Sequence, residues 1–140
     1  MNTSPASRSG AISRPLTRAL ALLGPLEARI MRTVWSGAVG DSFVVRDVQE
    51  GMPELAYTTV MTTLSRLAQK GLLRTKAVPQ KRAYEYAQAL SPAEFVIRSS
   101  RQDVENIVKR YGDAALAAFA VRLDRLTEEQ RVRLRGLEEE

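Results

Sequence analysis

The chain has 140 residues, of which 44% are apolar, and a formal net charge of +5. This is the size and composition of one soluble domain, or of a small domain with an oligomerisation appendage. It contains no Cys and no His, which excludes disulfides and thiolate metal sites and removes the usual general base and zinc ligand. We therefore expect neither an enzyme nor a cofactor. We also expect a cytoplasmic protein, since no apolar run can span a membrane and no signal peptide is recognisable.

The charge is distributed unevenly along the chain. Residues 1–90 carry 12 Lys/Arg and 6 Asp/Glu, a net of +6, and residues 91–140 carry 9 and 10, a net of −1, which together give +5. A basic front and a near-neutral back are typical of a polyanion-binding domain followed by a protein-binding region.

Residues 1–22 are predicted to be a basic leader, disordered up to about Arg14, with a candidate lead-in helix over Leu16 to Leu23. Its arginines fit either a basic arm on DNA or, as we prefer, a solubilising leader. The first firm helix is Leu26 to Ser36, introduced by Pro25 at the first helical position. After a glycine-containing loop, Phe43-Val44 is a candidate very short strand.

The next two segments predict a helix-turn-helix. Val45 to Glu50 forms a short helix that Gly51 and Pro53 end, and Tyr57 to Gly71 forms a longer one with Val60, Leu64, Leu67 and Ala68 on an apolar stripe. Four threonines within residues 58–63 are poor helix formers, but their hydroxyls and methyls suit phosphates and base edges. We interpret this segment as a DNA recognition helix; the alternative is an ordinary core helix with a polar outside.

After Gly71 the apolar period changes from 3.6 to 2 residues. Leu72 to Ala77 and Arg82 to Ala87 are predicted to be two strands joined by a turn at Pro79-Gln80-Lys81, with Tyr84 and Tyr86 on one face. A hairpin directly after a recognition helix is the wing of a winged helix. Lys81 and Arg82 at the tip of this hairpin would lie over backbone phosphates. Taken without the preceding recognition helix, they would be better interpreted as solvated charges in a turn.

Several motifs in this order resemble the penicillinase-repressor (BlaI/MecI-type) family across about residues 23–87. They are Leu23-Gly24-Pro25-Leu26-Glu27, Val34-Trp35, Val45-Arg46-Asp47-Val48, Ala56 to Leu64, Arg66-Leu67, Lys70-Gly71-Leu72-Leu73 and Arg82-Ala83-Tyr84-Glu85-Tyr86. The resemblance implies a winged-helix DNA-binding domain, a helical dimerisation tail, and repression from a dyad-symmetric operator. It places DNA contacts on Thr58, Thr59, Thr62 and Arg66 and on the wing around Arg82. Our full set of predicted DNA contacts is Tyr57, Thr58, Thr59, Thr62, Thr63, Arg66, Lys70, Lys81, Arg82 and Arg46.

Residues 91–140 are predicted to form three helices. Ser91-Pro92-Ala93-Glu94 and Thr127-Glu128-Glu129-Gln130 are capping boxes, and Asp113 is a helix start. About fifty residues cannot build much of a core alone, so their apolar stripes are expected to bury against a second copy. The predicted dimerisation residues are Phe95, Val104, Ile107, Val108, Tyr111, Leu116, Phe119, Leu123, Leu126, Leu134 and Leu137.

Two departures from the resembled family concern regulation. The resemblance implies an upstream sensor or protease that cleaves an Asn-Phe bond in the tail, but the nearest pair here is Ala118-Phe119. Copper-responsive relatives carry a C-terminal cysteine cluster, and this chain has no Cys.

The sequence thus predicts a mainly α protein with a small β-hairpin, in which a winged helix over residues 23–90 precedes a helical dimerisation region over 91–140. The predicted function is a homodimeric, sequence-specific transcriptional repressor on double-stranded operator DNA. The alternative is a winged-helix protein–protein adaptor, which would need an apolar or acidic outward face on the Tyr57 helix.

Overall fold

The computed structural model describes residues 14–78 and 83–138. Within these ranges the chain forms helices and one antiparallel hairpin. Residues 14–21 form helix α1. The remaining elements, in chain order, are α2 (Pro25–Trp35), α3 (Val45–Glu50), α4 (Tyr57–Gln69), β1 (Leu73–Val78), β2 (Ala83–Gln88), α5 (Pro92–Tyr111), α6 (Asp113–Asp124) and α7 (Glu128–Glu138).

Helix α2 lies one residue earlier at each end than the predicted span of Leu26 to Ser36. Pro25 occupies the first turn, and the Glu27 carboxylate accepts a hydrogen bond from the Gly24 backbone N–H, 3.3 Å away. Ile30, Met31 and Val34 are buried along one face. At the other end, the indole N–H of Trp35 donates to the Leu90 carbonyl at 2.9 Å, which fastens α2 to the segment that follows the hairpin.

Helices α3 and α4 pack together as the helix-turn-helix. The short helix contributes Val45 and Val48 to the core, and α4 contributes Val60, Leu64 and Leu67, all fully buried. The Asp47 carboxylate accepts from the Val44 backbone N–H at 2.9 Å, which satisfies a donor ahead of the first turn of α3. Gly71 follows α4 with φ of +86°, as expected for a glycine that ends a helix.

The hairpin pairs Leu73 with Gln88 through to Val78 with Ala83, a shift of one residue from the predicted strand limits. Phe43 adds a bridge on the open side of β2. Its N–H donates to the Tyr86 carbonyl at 2.9 Å and its carbonyl accepts from the Tyr86 N–H at 2.7 Å. Both rings are buried and stack with centroids 6.1 Å apart. The candidate strand at Phe43-Val44 is therefore a single bridge, which packs Phe43 against Tyr86 in the core.

The chain divides into two compact units, one ending at Arg98 and the other running from Ser99. The division falls within α5, later than the predicted boundary at residue 90. The candidate lead-in helix forms as α1, so folded structure begins before the predicted limit at residue 23, and residues 1–13 of the predicted disordered leader lie outside the described residues. Helix α1 buries Ala19 and Leu20, because apolar residues recur there at helical spacing and pack on the core of the first unit.

Candidate nucleic-acid interface

Helix α4 presents a polar face to solvent that includes half of the predicted contact residues. Thr58, Thr59, Thr62 and Arg66 are all exposed. They lie opposite the buried Val60, Leu64 and Leu67, since 3.6 residues per turn places the two sets on different sides of the helix. Tyr57, at the first position, is also exposed. The structure thus brings these residues onto one accessible surface.

Thr63 is a correction to the predicted set. Its side chain is only 4% exposed, and its hydroxyl donates to the Thr59 carbonyl at 2.8 Å. It lies three residues after Val60 and four before Leu67, so the helical period places it among core side chains. Threonine tolerates this burial because the carbonyl one turn earlier satisfies its hydroxyl. Thr63 is therefore a core residue and does not contribute to the exposed face.

The same period adds three residues that the sequence interpretation missed. Met61, Ser65 and Gln69 are exposed and lie three, seven and eleven residues after Thr58. Counting in steps of three and four from Thr58 would have found them. Ser65 and Gln69, together with Thr58 and Thr62, form the middle of the solvent face, with Met61 on one margin of it and Thr59 and Arg66 on the other.

The C-terminal end of α4 is tied to α2 by an ion pair. The Lys70 ammonium donates to the Glu27 carboxylate at 2.8 Å. Burial raises the pKa of Glu27, but the hydrogen bonds from Lys70 and the Gly24 N–H, with the charges of Lys70 and Arg66, outweigh it, and the pKa is lowered. Lys70 therefore has a structural partner in Glu27.

The remaining predicted contacts lie off α4. Arg46 is exposed on α3. Lys81 and Arg82, at the predicted wing tip, lie outside the described residues. Two further cations that the sequence interpretation left out, Arg74 and Lys76, are exposed on β1 and line a cleft that also includes Ser42 and Glu85, the residue paired with Lys76 on β2. Both fall on the same face of β1, but the strand is exposed on both faces from Arg74 to Ala77, so no alternation of burial marks them and only their charge could have identified them.

The second unit has almost no core of its own. From Ser99 to Leu137, the part of this unit with described side chains, only Ala115 is buried. Large exposed apolar side chains line α5, α6 and α7: Val104, Ile107, Tyr111, Leu116, Phe119, Val121, Leu123, Val132, Leu134 and Leu137. Val108 and Leu126 are half-buried. Two clefts are lined mainly by these residues, one around Val104, Phe119 and Leu123 and the other around Ile107 and Tyr111.

Phe95 is a second correction, because it was predicted to be a dimerisation residue. It is 8% exposed and packs against Trp35 of α2, with ring centroids 6.2 Å apart. The first turn of α5 therefore belongs to the core of the first unit. The predicted capping box at this turn is confirmed: Ser91 N–H donates to Glu94 at 2.8 Å, and Glu94 N–H donates to the Ser91 hydroxyl at 3.1 Å.

Residues 14–78 and 83–138 contain no group of three or more acidic residues arranged to hold a metal ion. No helix in the described part of the chain is long and apolar enough to cross a membrane.

A helix-turn-helix followed by a two-stranded hairpin, with a polar outward face on the second helix, defines the class of winged-helix regulators. Within this class the chain belongs to the penicillinase repressor family, whose model matches residues 23–140. This family consists of transcriptional regulators rather than enzymes. Two relatives, both named transcriptional regulator BlaI and both from strains of Mycobacterium tuberculosis, are 40% identical over 80 residues. The chain spans about half the length of these relatives, since the match covers 55% of each protein.

Two solved structures are also similar to the chain. The transcriptional regulator PA4135 superposes with a TM-score of 0.41 and 15% identity, covering 88% of this chain and 95% of that one. Apo wild-type MarR from E. coli superposes with a TM-score of 0.39 and 14% identity, covering 99% and 96%.

Proposed function

We propose that the protein is a homodimeric transcriptional repressor that binds a palindromic DNA operator sequence-specifically. The observation that carries this proposal is the exposed face of α4. A single helix presents hydroxyls, an amide and a guanidinium to solvent while its other side is fully buried in the domain core.

The chemistry of this face fits the major groove. Threonine and serine hydroxyls bond phosphates and base edges, glutamine is suited to adenine, and arginine is suited to guanine. Helix α4 carries no acidic residue that would repel phosphate. The groove is about 12 Å wide and admits one helix, so α4 can enter it along its exposed side. The cations Arg46, Arg74 and Lys76 are available for backbone phosphates and for the counterion release that dominates affinity.

The second unit supports a dimer. Its apolar side chains are exposed in a single chain, and exposed apolar surface of this extent marks an interaction site. A second copy would bury the same surfaces about a two-fold axis. Two winged helices related by that axis would address two half-sites of a palindrome, spaced by one helical turn of DNA or a little more. An upstream sensor or protease stays a prediction; the Ala118–Phe119 bond lies inside helix α6.

The test is a selection of bound fragments from a genomic DNA library at two salt concentrations. We expect one palindromic sequence to be recovered, with weaker binding at the higher salt. Recovery of fragments without a shared sequence would contradict specific recognition. Recovery of nothing above background would contradict DNA binding itself and would favour the protein–protein adaptor.

A further inference from the structure

Exposed large apolar side chains are few in the first unit. Up to Arg98, the described residues include only four: Leu22, Tyr57, Met61 and Tyr84. Two of these, Tyr57 and Met61, lie one turn apart on α4 and are 46% and 40% exposed. The other large apolar residues of α4 are fully buried. The helix therefore has a short apolar stretch on its outer side as well as its buried stripe.

Met61 is part of the candidate nucleic-acid interface and not a separate surface. It is adjacent to Thr62, and on the helix surface it neighbours Thr58 three residues before and Ser65 four residues after. All three of these polar residues are exposed. A ligand that lies along the helix across Thr58 and Ser65 therefore also lies beside the Met61 side chain.

The major groove offers one apolar group for such a side chain, which is the C5-methyl of thymine. Methionine suits this contact because its unbranched thioether adapts to irregular apolar surfaces. We propose that Met61, flanked by Tyr57, contacts a thymine methyl and makes this base a determinant of the operator sequence. The inference rests on the proposed DNA-binding function. It adds that one position of each half-site must carry a thymine, whose C5-methyl group contacts Met61.

A protein partner fits this stretch less well. Two side chains surrounded by threonine and serine form a patch far below the several hundred Å² that marks a protein-docking surface. A single thymine methyl in the otherwise polar major groove is an apolar surface of the size that one methionine side chain can cover.

The experiment uses the operator recovered by the selection described above and replaces each thymine of one half-site in turn by deoxyuridine. This change removes only the methyl group and keeps every hydrogen-bonding atom of the base. Full-length wild-type protein should bind one of these duplexes about fourfold more weakly, as expected for the loss of one buried methyl-sized group. The other uridine positions should have little effect.

Variants then assign the effect to its side chain. Met61→Ala should bind the thymine and uridine duplexes equally at that position, whereas Met61→Leu should keep the discrimination. Leu22→Ala is the matched control, since Leu22 is an exposed apolar residue outside α4. It should keep the full discrimination. Circular dichroism checks that each variant folds as the wild type does.

The outcomes separate the two proposals. A half-site without thymine, or wild-type binding that is insensitive to uridine at every position, overturns the role of Met61 and leaves the repressor proposal in place. Equal discrimination by Met61→Ala and the wild type also overturns it, because another residue would then contact the methyl. Failure to recover any operator overturns both.

Discussion

Arg66 and Lys70 are both cations on α4, but their surroundings differ at the scale of single residues. The Lys70 ammonium is hydrogen-bonded to Glu27, whereas Arg66 is exposed on the margin of the polar face. Replacing Arg66 by Ala should weaken operator binding by about 1–3 kcal/mol, or roughly 5- to 150-fold, if its guanidinium contacts a base. A gel-shift titration measures this change. Arg32→Ala, which removes the same charge from an exposed site on α2, is the control and should change affinity much less.

The ion pair between Glu27 and Lys70 should make the stability of the fold depend on pH. The pKa of Glu27 is lowered from 4.5 in the folded protein, so its contribution to stability is present above pH 4.5 and is lost as pH falls through the folded value. Glu27→Gln should therefore lower the thermal midpoint at pH 7 and have a smaller effect at pH 3. Glu105→Gln, at an exposed position on α5, is the comparison. An equal loss for Glu27→Gln at both pH values would show that packing, not charge, is responsible.

Thr63 shows how far residue-level interpretation of the sequence extends. Composition identified α4 as unusual, and the exposure of Thr58, Thr59 and Thr62 agrees with the predicted face. Composition could not separate Thr63 from these residues, because a threonine is chemically suited both to a base edge and, with its hydroxyl bonded within the helix, to a core. Its angular position does separate it. Burial of threonine is therefore predicted by helical phase and not by residue type.

At the scale of elements, the junction between α4 and β1 depends on a glycine. Gly71 has φ of +86°, and a Cβ there would lie 2.3 Å from the Arg98 Nη1 atom of α5. Gly71→Ala should therefore destabilise the protein by the roughly 1–2 kcal/mol that the left-handed conformation costs a residue with a Cβ, plus a smaller cost for moving the flexible end of the Arg98 side chain aside. Gly37→Ala is the matched control, because Gly37 has φ of +83° with nothing within 4 Å of its Cβ position.

Urea denaturation of these variants separates the two causes. Gly37→Ala should show the conformational cost alone, and Gly71→Ala should show that cost plus the displacement of Arg98. The double variant Gly71→Ala, Arg98→Ala should recover the difference between them. If Gly71→Ala and Gly37→Ala lose equal stability, the guanidinium moves aside freely and does not constrain this junction.

Elements with local signals were predictable, whereas contacts between distant segments were not. The capping boxes at Ser91 and Thr127 form as predicted, because each depends on residues three apart. The hairpin follows the period of two residues to within one position. The packing of Phe95 on Trp35 depends on a tertiary contact between α5 and α2, and the apolar period of α5 is the same whether a residue faces its own domain or a second chain.

At the scale of the whole molecule, the second unit is the part that most needs a binding partner, because its apolar residues are exposed in a single chain. If a second copy covers them, the protein in solution should have twice the 15.5-kDa chain mass. Leu123→Asp places a charge at a side chain that is 47% exposed and lines an apolar cleft, and burial of that charge in a dimer would be costly. We expect this variant to shift toward the monomer in analytical ultracentrifugation.

Ala117→Asp is the control for this change, because it adds the same charge to an exposed position of α6 that lies off the predicted apolar stripe. It should remain dimeric. Leu123→Asp should also bind a two-half-site operator much more weakly, while its affinity for a single half-site should stay near that of the wild type, since each winged helix would still present α4. A dimer that survives Leu123→Asp would place the interface elsewhere. Loss of half-site binding in this variant would mean that the tail supports the recognition helix directly and does more than pair two copies.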